Sequence, residues 1–346
     1  MTSERVFLDS ASGGPISAAA IAAMNSAAKT AFAAQNALHS EGKMAASVRQ
    51  AAVAQIAQVL EITVDQILPV SNPAQVFQIF ADFLANSGEK VSISACSRKA
   101  FLGLLTHRLS AQVVPITAAG MEYDLPKSGW HVTQAGNAET GVISTLAENS
   151  PSGLKRIVDA TEWVGRIPGL PMGEFKFIRG SSWGGGNLIC FIIGPIKDLG
   201  LDALSIKAAA PEISSLVAAA TAITDLPTLI ENSINQRKWI EQFAEGLENV
   251  DSIKVLENLG PSLPHILTFV VENIEAEFLA AELDRRGFAV GAGSACGIDS
   301  GQSHVLAAMG MENVANIRIG LPQVARQSDL EKLLLELPSA ISAVRN

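Results

Sequence analysis

Along this chain, short runs of consecutive apolar residues alternate with longer stretches in which apolar residues recur every three or four positions. The segments at 67–70, 90–94, 113–115, 131–134, 156–158 and 175–178 read as short strands, and 188–193, apolar throughout, as a buried one. Between them, 16–34, 43–60, 73–84 and 98–109 read as helices; in the second, Val48, Ala52, Ile56 and Leu60 fall on one face. Pro15 and Pro73 stand where a helix tolerates a residue without an N–H, at its start. Strand and helix in alternation predict a mostly parallel sheet covered by helices. A long helix over 226–246 leads to a different order: strands at 253–256 and 265–270, a helix at 276–286, a strand at 317–319 and a helix at 328–343. We therefore expect an α/β fold with a large domain over 16–235 and a small α+β domain built from 1–15 and 236–346. The apolar residues around 209–222 are expected in the core.

The chain has 346 residues, of which 48% are hydrophobic and 17% charged, enough to bury a substantial core. A net charge of −9 without any basic run argues against nucleic acid as a partner. No uninterrupted apolar run approaches the roughly 18 residues that span a bilayer, and the N-terminus lacks a charged-then-apolar leader. The three cysteines, Cys96, Cys190 and Cys296, are far apart and odd in number, which suggests a reducing cytoplasm with neither a disulfide framework nor a metal-ligand spacing.

Residues 291–310, GAGSACGIDSGQSHVLAAMG, concentrate the chemistry. Gly291, Gly293, Ser294, Gly297 and Gly301 surround Cys296 with backbone freedom that a packed structural cysteine does not need. Ser303 is placed to cap a helix whose Val305, Leu306 and Met309 form an apolar face. A small apolar cysteine in a tight turn is the plain alternative. The stretch resembles the mobile catalytic-cysteine loop of cysteine desulfurases, class V aminotransferase-like enzymes that use pyridoxal phosphate (PLP).

Further segments resemble the same family in the right order, from about residue 8 to 320. RIVDATEWVGRIP resembles the motif whose aspartate, here Asp159, pairs with the PLP pyridinium; Glu162 stands where the family has a glutamine facing the ring oxygen. An aspartate capping a βα turn is the alternative for Asp159. NAETG, with Asn137, and NIRIG, with Arg318, resemble segments that hold the substrate, the arginine gripping its carboxylate. A surface arginine is the alternative for Arg318. The resemblance implies the PLP-dependent transferase fold type I with a seven-stranded, mostly parallel sheet, a homodimer, and transfer of sulfur from L-cysteine to Cys296 as a persulfide.

The departures from the family fall together. The stretch that should carry the Schiff-base lysine reads FIRGSSWGGG, with Ser182 or Trp183 at the position and no lysine. Lys176 lies earlier, inside the preceding strand. The helix start that should hold the cofactor phosphate reads Ser71-Asn72-Pro73-Ala74, losing one N–H and one hydroxyl. Arg98 replaces the histidine that stacks on the ring. We therefore expect vestigial cofactor contacts at Asp159, Glu162, Ser71, Ala74, Arg98, Ser181 and Ser182, and no covalent PLP. Three functions follow: a degenerate protein acting as a partner or regulator in sulfur or iron–sulfur metabolism, an active desulfurase, or a PLP-independent sulfur carrier.

Overall fold

The structure, a computed structural model, describes residues 5–144, 151–256, 260–293, 303–312 and 314–345. Twelve strands form two sheets: β1 (Val6–Leu8), β2 (Ile67–Val70), β3 (Val91–Ser94), β4 (Gln112–Val114), β5 (Ser128–Gln134), β6 (Gly153–Asp159), β7 (Phe175–Arg179), β8 (Cys190–Ile193), β9 (Ile253–Val255), β10 (Ile266–Val271), β11 (Phe288–Ala292) and β12 (Asn316–Gly320). The larger sheet has the order β2-β8-β7-β6-β5-β3-β4 and is parallel except where β8 runs against both β7 and β2. This is the expected seven-stranded α/β sheet. Strands β7 and β8 carry apolar residues on both faces, because helices cover both sides of the sheet.

One face is filled by an aromatic cluster: Phe77 lies flat on Phe101 with ring centroids 4.5 Å apart, Phe177 meets both edge-on, and Phe80 and Phe175 meet each other edge-on beside them. On the other face, helix Ile213–Ala222 buries Leu216, Ala218, Ala219 and Ala220 against helices Ala18–Thr30 and Ser40–Val59. Of residues 209–222, Ala209, Leu216, Ala218, Ala219, Ala220 and Ala222 lie in the core, while Glu212 is exposed. The loop after β7 also comes close to this helix: a Cβ on Gly185 would lie 2.7 Å from Cα of Ala219. Trp183 enters the same layer at 2% exposure and donates from Nε1 to the carbonyl of Ala219 at 3.0 Å.

Helix Leu226–Leu247 carries the chain to the second sheet, of order β1-β11-β12-β10-β9. Together with the helix before it, Ile213–Leu247 is by length and composition apolar enough to cross a membrane. In the fold, however, its first part packs in the core and its second part bears Glu231, Arg237, Lys238, Glu241 and Glu245. The periodicity did not reveal β11, which lies immediately before the cysteine segment, or its parallel pairing with β1. Both strands are short, and the pairing joins residues 6–8 to 288–290, a contact no local pattern announces.

Burial of Trp183 sets a test. Trp183→Ala should destabilise the protein by about 3–5 kcal/mol in urea unfolding, whereas Ser182→Ala beside it should cost about 1 kcal/mol or less. Equal costs would contradict the assignment of Trp183 to the core.

Candidate functional site

The parallel strands β3, β5, β6 and β7 all end on one side of the sheet, and the residues that follow them meet there, where open α/β folds place ligands. Asp159 closes β6 at 4% exposure. Its Oδ1 accepts from the backbone N–H of Thr161 at 2.9 Å, and its Oδ2 accepts from Nε of Arg98 at 2.6 Å. Arg98 comes from the turn after β3, immediately before helix Lys99–Leu109, and its Nη2 also lies 3.6 Å from Oε1 of Glu162. Both oxygens of the carboxylate are thus engaged within the chain.

Glu162 has His265 on its other oxygen, with Nε2 at 3.3 Å from Oε2. Burial alone would raise the Glu162 carboxyl, but the His265 hydrogen bond and the charges of Arg98 and Arg166 outweigh it and hold the group below its usual range. Burial, with Arg166 adding to it, pushes His265 down to about 4. His265 is therefore a neutral imidazole that donates from Nε2 to an ionised Glu162. Arg166 completes the cluster: Nη2 donates to the Leu321 carbonyl at 2.6 Å and Nη1 to Gln236.

Ser182 donates to the carbonyl of Thr161 at 2.6 Å and, with Ser181, lines a cavity of about 480 Å³ beside Glu162 and His265. Among the described residues no lysine lines this cavity. Lys176, near the start of β7, turns its ammonium to the Gly173 carbonyl. The start of helix Pro73–Asn86 is closed from within. Asn72 accepts from the N–H of Gln75 at 3.1 Å, Ser71 donates to the Gln75 side chain, and the carbonyls of Ala208 and Ala209 accept from Gln75 and from the N–H of Ser71. Ala74 offers no hydroxyl to a ligand there.

Arg318, on β12 at 2% exposure, pairs with Asp9 at 2.6 Å. Gly291 lets this pair lie flat against β11, since a Cβ there would come within 2.7 Å of Nη2 of Arg318 and 2.9 Å of Oδ1 of Asp9. Asn137 is buried and fully occupied. It donates to the Cys96 carbonyl and to Gln134, and it accepts from the N–H groups of Glu139 and Thr140 at 2.8 Å each. It shapes the turn after β5, and no donor or acceptor remains for a substrate.

Cys296 lies outside the described residues. The described ends of its segment are both tied to the site. Gly293 exchanges hydrogen bonds with Asn316 next to Arg318. Ser303 caps the helix His304–Ala308 by accepting from Leu306 at 3.1 Å and donates to buried Glu139. His304 meets the Ser97 carbonyl at 2.9 Å, one residue from Arg98.

These residues do not fit PLP. The carboxylate that would hold a pyridinium holds a guanidinium, no lysine lines the cavity among the described residues, and the helix start that would hold a phosphate is capped by its own chain. What the arrangement offers chemically is a buried network of fixed charges beside a polar cavity. The sequence pointed to Asp159, Glu162, Arg98 and Ser182 but not to their pairing; Leu8-Asp9-Ser10-Ala11 resembles the family's opening segment without showing that Asp9 pairs with Arg318, and nothing in it marked His265.

Residues 184–333 match the family profile described as Aminotransferase class-V. That stretch contains Cys296 and Arg318 and leaves out Arg98, Asp159 and Ser182. No curated protein sequence matches the chain. Among solved structures, a NifS-like protein superposes with a TM-score of 0.84 at 19% identity, covering 98% of this chain and all of that one. A NifS-like protein from Rickettsia africae gives 0.80 at 18%, with the same coverage. A cysteine desulfurase from Thermococcus onnurineus gives 0.80 at 15%, covering 98% of this chain and 95% of that one. The fold is that of the NifS-like proteins, the PLP-dependent transferase fold type I.

The His265–Glu162 pair makes stability depend on pH. Between pH 6.5 and about 4 the unfolded chain protonates this histidine and the folded one does not, so stability falls as pH drops through that window. His265→Gln, which keeps a donor for Glu162 but does not titrate there, should flatten this part of the curve in chemical denaturation. Identical slopes in the two proteins would refute the assignment.

Proposed function

We propose that this chain is a desulfurase-like protein of the class V fold that works without PLP, as a partner or regulator in sulfur or iron–sulfur metabolism. The observation that carries this reading is the 2.6 Å bond from Arg98 to Asp159. A pyridine nitrogen needs that carboxylate to become an electron sink, and here a permanent cation holds it. The absent lysine and the closed helix start support the same reading. Drift at one contact would leave the others in place; here the amine, the ring partner and the phosphate contacts are replaced together.

A second reading, sulfur carriage by Cys296, rests on a separate observation. Cys96 and Cys190 are buried, and burial pushes both thiols up to about 12, which leaves them protonated and unreactive. Cys296 is then the remaining nucleophile, on a segment whose two ends are fixed beside Arg318 and Arg98. In this reading the Cys296 thiolate attacks the terminal sulfur of a persulfide donor, a new S–S bond forms at Cys296, and the donor leaves as its thiolate. No cofactor enters the step.

Two outcomes test these readings. Wild-type protein incubated with PLP, reduced with borohydride and analysed by mass spectrometry should carry no cofactor adduct. Ser182→Lys should not gain one, because the ring and phosphate contacts are also replaced. An adduct at the substituted position, or sulfide release from L-cysteine, would overturn the first reading. For the second, a small-molecule persulfide should label wild-type protein and not Cys296→Ser, and equal labelling would exclude it.

A further inference from the structure

The cavity beside Ser182 holds a set of buried polar groups that the fold leaves unpaired. Among the described residues, Thr161 Oγ1, Ser10 Oγ, Arg179 Nε, His265 Nδ1 and Gln323 Oε1 all belong to residues lining this one space, and none has a protein partner. Thr161 and His265 are 5% and 1% exposed. An unsatisfied buried polar atom costs about 1–3 kcal/mol, so five around one cavity point to something that binds there.

Their chemistry defines the ligand. Arg179, at the end of β7, has only the Asn187 carbonyl, 3.3 Å from Nη2, and no carboxylate bonds it among the described residues. Asp159 and Glu162 are taken by Arg98 and His265. Asp225 also lines the cavity but is solvent-exposed. Arg179 is therefore a surplus cation beside this cavity, and it asks for an oxyanion. Neutral His265 gives its only N–H to Glu162, so Nδ1 is a bare acceptor, and Gln323 spends its amide N–H groups on the carbonyls of Gly165 and Ser182. These two acceptors ask for donors. A ligand ammonium would face both Arg166 and Arg179; neutral hydroxyls avoid that repulsion.

We propose that this cavity binds a small hydroxylated organic oxyanion, with its carboxylate or phosphate on Arg179 and its hydroxyls on His265 Nδ1 and Gln323 Oε1. A volume of about 480 Å³ is in the range of metabolite sites. The inference rests on the Arg98–Asp159 pair, which leaves Arg179 as the surplus charge. PLP uptake reports on that pair; binding of the probes below does not depend on Cys296 or on any sulfur chemistry.

The test is calorimetric titration of the full-length protein with D-gluconate and glucose 6-phosphate, which separate carboxylate from phosphate, against D-glucose, succinate and L-serine. At least one of the first two should bind about tenfold or more tightly than each of the last three, and Arg179→Gln should weaken that binding by a similar factor. The ligand-side comparison stands even if the variant folds poorly. No binding of gluconate or glucose 6-phosphate at millimolar concentration, equal binding of glucose or serine, or an unchanged affinity in a folded Arg179→Gln protein would each overturn the proposal.

Discussion

A guanidinium bonded to a carboxylate at the end of a buried parallel strand fixes everything around this site. Neither Asp159 nor Arg98 reaches water freely, and a lone buried charge of either sign would cost several kcal/mol. The pair is tolerable because each oxygen of Asp159 has a donor and because Glu162 adds a second negative charge within reach of Arg98. Once the two are committed to each other, Glu162 is free to order His265 across the gap from β10, and no carboxylate bonds Arg179 among the described residues. The cluster thus orders the core of the site from the chain's own charges, without needing a bound ring to neutralise them.

The surroundings follow from that arrangement. The ends of the cysteine segment are held by polar contacts to Glu139, Ser97 and Asn316, all close to the same strand ends. The polar cavity lies on the other side of Glu162, lined by Ser181 and Ser182 where the fold would place an amine. The described ends of the cysteine segment and a metabolite-sized cavity therefore border one fixed cluster of charges.

Much of the fold was legible because its strands are buried on both faces and read as plain apolar runs; β2, β7 and β8 are examples. The alanine-rich helix Ile213–Ala222 was legible only as core, since its composition shows no sharp face. The pairing of β1 with β11 was hidden because three residues carry too little pattern to announce a partner far along the chain. At the site, the sequence showed what was missing more clearly than what had replaced it. The lack of a lysine near Ser182 is visible in the letters, and so is an arginine at 98. That Arg98 turns onto Asp159, that Trp183 packs into the core while Ser182 faces the cavity, and that Asn137 spends itself on its own turn are consequences of three-dimensional packing. His265 had no local signature; its role exists only because β10 ends opposite Glu162.

The most direct test of this picture is a double-mutant cycle on Arg98 and Asp159, with Arg98→Met, Asp159→Asn and the pair of substitutions compared by urea denaturation. If the two side chains are each other's partner, either single change strands a buried charge, the double variant recovers part of the loss, and the coupling energy exceeds about 1 kcal/mol. Additive losses with no coupling would mean that Asp159 is not committed to Arg98, and the site would again be open to a cofactor.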